Sequence, residues 1–447
     1  MIRLRARANT LTRQRPSAEG FGVRFRLFPQ APVVPAFAEP ETVVIGRATG
    51  SIGPGPSDDR MYVIDALGKS QPYAFPYLPP FTGTANAPIL PGPDGHFDHF
   101  EVGTRSFNAA HMYGTLRFVL DIWESYFERK VEWHFSKHFA RLELIPHLDW
   151  DNAQSGYGFI ETGYGFDEDY GQHPFCLNFD ILSHELGHSF VYALVGIPAI
   201  EHVTAEYVGF QEAASDIVAL LSTLHFKSVV DHILAETRGN IYAPNELNRF
   251  AELSPTHQIR SASNSIRMGD VPDVRIPFER LSEPDRHLLS QPLTGAVFDI
   301  LVELFQTILV QRGLIREELN ARSRRADQGI DEEEEMLVQE LFNEAFRNHG
   351  PDFAQALIDA RDIAGSLWAV AFTQLRPDLT YSRFHEALLR ADRIVTKGRF
   401  RDLISDSLDW RGISVPAREA KRPVRRDFAR RSIVTKKIET IGLMRRL

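Results

Sequence analysis

Nine residues, Asp180-Ile181-Leu182-Ser183-His184-Glu185-Leu186-Gly187-His188, constrain this chain more than any other stretch. They contain the pattern H-E-x-x-H. On an α-helix, two histidines four positions apart project from one face, one turn apart. Imidazoles so placed can bind one zinc ion, with Glu185 beside the first to hold or deprotonate a water on it. Ordinary helices also show these letters by chance, so the rest of the chain decides what they mean.

The helix is predicted to start with Asp180 as N-cap, where a carboxylate accepts orphan N–H bonds. Leu182, Leu186 and Phe190 line its apolar side, and Gly196-Ile197-Pro198 ends it. A second buried helix is predicted over 210–224, carrying Gln211-Glu212-Ala213-Ala214-Ser215-Asp216. Its stripe of Phe210, Ala213, Ala214, Ile217, Val218 and Leu221 is apolar. Two carboxylates at the start of such a helix need a compensating partner if buried, and a zinc ion supplies one. Glu212 follows His188 by 24 residues, and Gly196 and Pro198 let the chain double back between them. Glu212 is therefore the expected third ligand. Asp216, one turn on, is placed to accept the other ring N–H of a ligand histidine, His184 in this reading.

These residues resemble the thermolysin-like zinc metallopeptidases, the gluzincins. Asp180, His184, Glu185 and His188 match the family pattern D-x-x-x-H-E-x-x-H. Its second helix, N-E-A-x-S-D, is matched with Gln211 in place of Asn. Further matches occur in order: Ala110-His111-Met112-Tyr113 is similar to A-H-Y-Y, and Asn152-Ala153 to the N-A of the substrate-binding edge strand. Ile259-Arg260-Ser261-Ala262-Ser263-Asn264 is similar to L-R-S-M-S-x, and His287-Leu288-Leu289-Ser290 to H-x-x-S. The similarity spans roughly residues 43 to 365, with gaps. The resemblance implies that Arg260 contacts the substrate carbonyl and that His287 stabilises the oxyanion, with Tyr207 the candidate for a second donor. It implies that Asn152 and Ala153 hold the peptide backbone. An acid that the family carries two turns after Asp216 is Thr223 here, so a calcium (Ca2+) requirement is doubtful.

Composition fits this reading without adding to it. A chain of 447 residues, 43% apolar and 24% charged, resembles an ordinary globular protein, and the single Cys176 excludes an internal disulfide. No run approaches 18 apolar residues, so no membrane span is expected. The basic start, Met1-Ile2-Arg3-Leu4-Arg5-Ala6-Arg7, has no apolar core behind it, which favours a cytoplasmic location. The formal charge of −9 hides a basic tail: residues 415–447 hold eleven Lys/Arg against three Asp/Glu, the sole hint of a nucleic-acid partner. His96 and His99 lie in a loop-like stretch and are expected at the surface. Asp167-Glu168-Asp169 reads as a solvated loop rather than a calcium site.

Along the chain, Thr42-Val43-Val44-Ile45 and Met61-Tyr62-Val63-Ile64 predict a small antiparallel β region, and 131–135 and 141–145 predict further strands. Helices are predicted over 108–128, 292–311, 353–360 and 381–391, with Asp331-Glu332-Glu333-Glu334-Glu335 opening another at its positive end. The fold class expected is α+β, a thermolysin-like two-lobed arrangement. Residues 1–41 form an extension, disordered or a short prosegment, and 42–196 an α/β lobe with the zinc helix. Residues 197–414 form a helical lobe and 415–447 a basic tail. The function expected is a zinc metalloendopeptidase with one Zn2+ per chain, acting on a peptide or protein substrate. Three rivals stand beside it. One is a catalytically silent zinc- or peptide-binding protein, another a related zinc aminopeptidase, for which no G-x-M-E-N motif is found, and the third a nucleic-acid binder acting through the basic tail 415–447.

Overall fold

Alternation of apolar and basic residues in Gly22-Val23-Arg24-Phe25-Arg26-Leu27 marks a strand with one buried face. In the computed structural model, which describes residues 21–167, 171–254, 257–327 and 332–415, it forms β1 (Phe21–Leu27). β1 pairs antiparallel with β2 (Glu41–Ala48). Val23, Phe25 and Leu27 have no solvent-accessible surface. They pack on α1 (Arg105–Tyr126), where Phe25 lies 5.6 Å from Tyr113, ring centre to ring centre. Residues 21–41 are therefore part of the folded body, and the expected extension over 1–41 is shorter than predicted. The arginines and prolines around this strand obscured its period of two.

The central sheet is mixed, not antiparallel as expected. Its order is β3 (Met61–Val63), β4 (Leu142–Ile145), β6 (Phe159–Thr162), β5 (Ala153–Ser155). β3, β4 and β6 run parallel, and β5 closes one edge antiparallel to β6. The strand predicted over 131–135 is irregular: Val131, Trp133 and Phe135 are buried, but they turn into the core without a ladder partner. Two hairpins follow, β7 (Tyr164–Asp167) with β8 (Gly171–Pro174), and β9 (Arg249–Ser254) with β10 (His257–Ser261). The expected acidic loop reaches outside the described residues at 168–169.

The remaining helices are α2 (Phe179–Leu194), α3 (Ala205–Thr223), α4 (Lys227–Thr237), α5 (Glu283–Gln311), α6 (Glu317–Asp327), α7 (Glu332–Phe372), α8 (Tyr381–Val395) and α9 (Arg401–Trp410). Mixed strands and helices make the chain α+β. α5 begins nine residues before the predicted Pro292, because Ser282 and Asp285 form a reciprocal capping box. His287 thus lies on a helix rather than in a loop. Acidic residues Glu332–Glu335 occupy the first turn of α7, which kinks at His349. One apolar cluster runs continuously from Val23 to Ile413. The stretch Pro284–Gln311 is long and apolar enough to cross a membrane, yet 78% of its apolar window is buried within the protein. α3 packs against α2 on one side and α5 on the other.

His111 ties three segments together. Its Nε2 accepts from the Phe28 N–H (3.0 Å), so its Nδ1–H donates to the Cys176 carbonyl (2.9 Å), just before α2. Burial pushes its pKa down from 6.5 to about 4. The unfolded chain therefore takes up a proton below pH 6.5 that the folded chain refuses. This contribution to stability is complete above pH 6.5 and is lost as pH falls towards 4, amounting to about 3 kcal/mol. Urea melts of wild type at pH 7 and 4.5 should show that decline, and His111→Gln should show less of it. An identical pH slope in the variant would exclude His111 as its source.

Candidate metal centre

α2 is capped by Asn178, whose side chain accepts from the Ile181 N–H at 3.1 Å. Asp180, the predicted cap, sits buried in the first turn instead. The short 3-10 turn Phe175–Leu177 sets this phase, because Asn178 is the residue that leaves it. Leu182, Leu186 and Phe190 then pack fully into the core. His184, Glu185 and His188 are buried along with them, 9%, 5% and 2% exposed.

α3 is capped by Thr204 and begins at Ala205, five residues earlier than predicted. Glu212 therefore lies two turns into the helix, away from the free N–H groups of its first turn. Its carboxylate is matched by imidazoles. His184 Nε2 is 3.4 Å from Glu212 Oε2, and His188 Nε2 is 3.6 Å from Glu212 Oε1. The two histidine Nε2 atoms are 3.0 Å apart. A tetrahedral zinc ion with bonds of about 2.0–2.1 Å separates its ligand atoms by about 3.3–3.4 Å. The three side chains fit that triangle.

Proton placement supports the same conclusion. His184 Nδ1 lies 2.9 Å from Asp216 Oδ1, a carboxylate that accepts the Nδ1–H and leaves Nε2 with its lone pair. Asp216 is held in turn from α5, where Thr294 donates to Oδ2 at 3.4 Å. Nitrogen and oxygen atoms converging in a buried site form a donor set that could hold a cation.

The two helices approach closely because position 187 is glycine. A Cβ there would lie 2.6 Å from Ser215 Cα on α3. His287 Nδ1 on α5 is 3.1 Å from Glu212 Oε2. It thus stands beside the His184–His188–Glu212 triangle, facing Glu212 through one ring nitrogen. The edge strand also borders the centre: Ala153 on β5 packs with Phe175 and with Ile181 of α2. Asn152 is exposed at the start of that strand, its Oδ1 accepting from the Ala153 N–H.

Tyr207 does not join them. Its side chain is fully buried, its hydroxyl donates to the Gly196 carbonyl at 2.7 Å, and burial raises its pKa far above 10. With α3 starting at Ala205, the helical phase turns this ring towards the end of α2, so Tyr207 is not an oxyanion donor. Arg260 sits in β10 opposite Phe250, and its side chain lies outside the described residues. Thr223 uses its hydroxyl on the N-terminal segment, donating to Pro29 O at 3.0 Å and accepting from Gln30 Nε2 at 3.1 Å. His96 accepts from the Arg24 N–H in the loop. Sequence spacing gave no sign of Thr294. Asn178 was missed as the cap, although asparagine is among the favoured cap residues.

No protein-family model matches the chain, and no curated protein does. Among solved structures, the chain is similar to the precursor of protealysin, a metalloproteinase from Serratia proteamaculans. The identity is 16% and the TM-score 0.37, over 68% of this chain and 89% of that one.

Proposed function

We propose that this chain is a zinc-dependent metalloendopeptidase of the gluzincin type, with a thermolysin-like two-lobed architecture. The observation that carries this reading is the triangle of His184, His188 and Glu212 with Glu185 next to the first ligand on a buried helix face. Zinc bound there would polarise a substrate carbonyl and lower the pKa of water. Glu185 would take the water's proton and pass it to the leaving nitrogen. Asp216 would hold His184 in the tautomer whose Nε2 presents a lone pair to the ion.

Substrate would lie along β5. Among the described residues this strand has a ladder partner on one side, β6, and an extended peptide would add along its other edge. Ala153 would supply that backbone and Asn152 its entrance. As an imidazolium, His287 would keep its Nδ1–H towards Glu212 and donate to the developing oxyanion through Nε2–H. The role of Arg260 rests on the family resemblance.

The test is cleavage of a peptide library that includes N-terminally acetylated members, with and without a zinc chelator. Internal cleavage of acetylated peptides, lost with chelator and restored by zinc, is the expected result. Cleavage confined to free amino termini would assign an aminopeptidase. Retained zinc with no cleavage would assign a silent binding protein.

A further inference from the structure

A second group of convergent ligand atoms lies on the face of α4, away from the centre described above. His232 and Glu236 are four apart and so share one face of that helix. The 3-10 turn Glu246–Asn248 brings Glu246 up to them. His232 Nε2 is 3.3 Å from Glu246 Oε2 and 3.9 Å from Glu236 Oε1, and the three ligand atoms all lie within 4.8 Å of one another. His232 Nε2 and Glu246 Oε2 are both shut off from solvent, and among the described residues neither makes a hydrogen bond. Their close approach lacks hydrogen-bond alignment. Two buried polar atoms left so cost free energy unless something between them satisfies both.

We propose that His232, Glu236 and Glu246 bind a second divalent cation, of the zinc or manganese class. The donor set decides the class. One imidazole with two carboxylates suits borderline first-row metals, whereas calcium takes six to eight oxygens. The ring is already oriented, because Phe37 meets it edge to face with centres 5.1 Å apart. Glu236 is the exposed member, at 53%, and gives the ion its route in from solvent. The bound cation would clip α4 to the turn that leads into β9, and through Phe37 to the N-terminal segment. It stands or falls independently of any peptidase activity.

Zinc titration of the full chain, with metal content measured after gel filtration, tests the proposal. Wild type should bind about two zinc ions per chain, the second more weakly. Glu246→Gln, which keeps shape and removes charge, should weaken only the second event at least tenfold. His232→Gln with Glu246→Gln should abolish it and leave about one ion. His184→Gln with His188→Gln should keep the second event and lose the first. Should that double variant fail to fold, Glu185→Gln, which retains every ligand, replaces it and should still bind two. An unchanged number of ions in the double variant His232→Gln with Glu246→Gln, or unchanged binding in Glu246→Gln, would overturn the second site. Both results are read without any substrate.

Discussion

Glu185→Gln should lower the turnover of peptide hydrolysis by about two to four orders of magnitude while leaving zinc content unchanged. The two outcomes separate because Glu185 is not a member of the triangle formed by His184, His188 and Glu212. Glutamine keeps the size of the side chain and its capacity to accept a hydrogen bond, but it cannot take a proton at neutral pH. The loss should therefore appear in kcat, with KM little altered, as expected for an interaction used in the transition state. Steady-state kinetics on an internally quenched peptide, paired with metal analysis of the same sample, decides the matter. Full turnover in the variant would remove Glu185 as the general base. A joint loss of zinc and activity would show a role in holding the metal instead.

Gly187→Ala should disturb the same centre without touching a single ligand. The added methyl would sit 2.6 Å from Ser215 Cα, a backbone atom that cannot swing aside, whereas ordinary contact is 3.4–4 Å. α2 and α3 must separate or rotate by a sizeable fraction of an ångström. Such overpacking costs about 1–3 kcal/mol. The strain falls on the geometry that matters most, since His184 and His188 ride on one helix and Glu212 on the other. The expected result is a lower melting temperature and a weaker zinc affinity, the latter read by competition with a chromophoric chelator. Gly269→Ala is the control: a Cβ there meets nothing within 4 Å and should change neither quantity. Native melting and native zinc affinity in Gly187→Ala would show that the helices tolerate a wider spacing.

The convergence of His184, His188 and Glu212 was legible because helical period turns spacing into direction. His184 and His188 share a face by arithmetic, as do Glu212 and Asp216, and the turn at Gly196 lets the two helices meet. Phase at a helix start was less accessible. Asp180 and Asn178 are both good caps, and the choice between them was made by the 3-10 turn before them. The same limit misplaced Tyr207, since an α3 starting at Ala205 carries its ring to the Gly196 carbonyl. Sheet direction was illegible for another reason. β3 and β4 pair across almost eighty residues of chain, and nothing local in Met61–Val63 records a parallel partner. β1 is a different case, because its alternation was present in the letters and was masked by composition.

The N-terminal segment also sets an order of assembly. β1 finds β2 nearby, but the other partners of residues 28–41 are encoded far downstream. Phe28 waits for His111, Gln30 for Thr223, and Glu41 for Ser228, whose hydroxyl donates to it at 2.7 Å. Closure of loops of 83, 193 and 187 residues must precede these contacts. During synthesis this segment is thus completed in stages. Val23, Phe25, Leu27 and Phe28 are covered once α1 has been made, whereas Gln30 and Glu41 meet their partners only when α3 and α4 emerge.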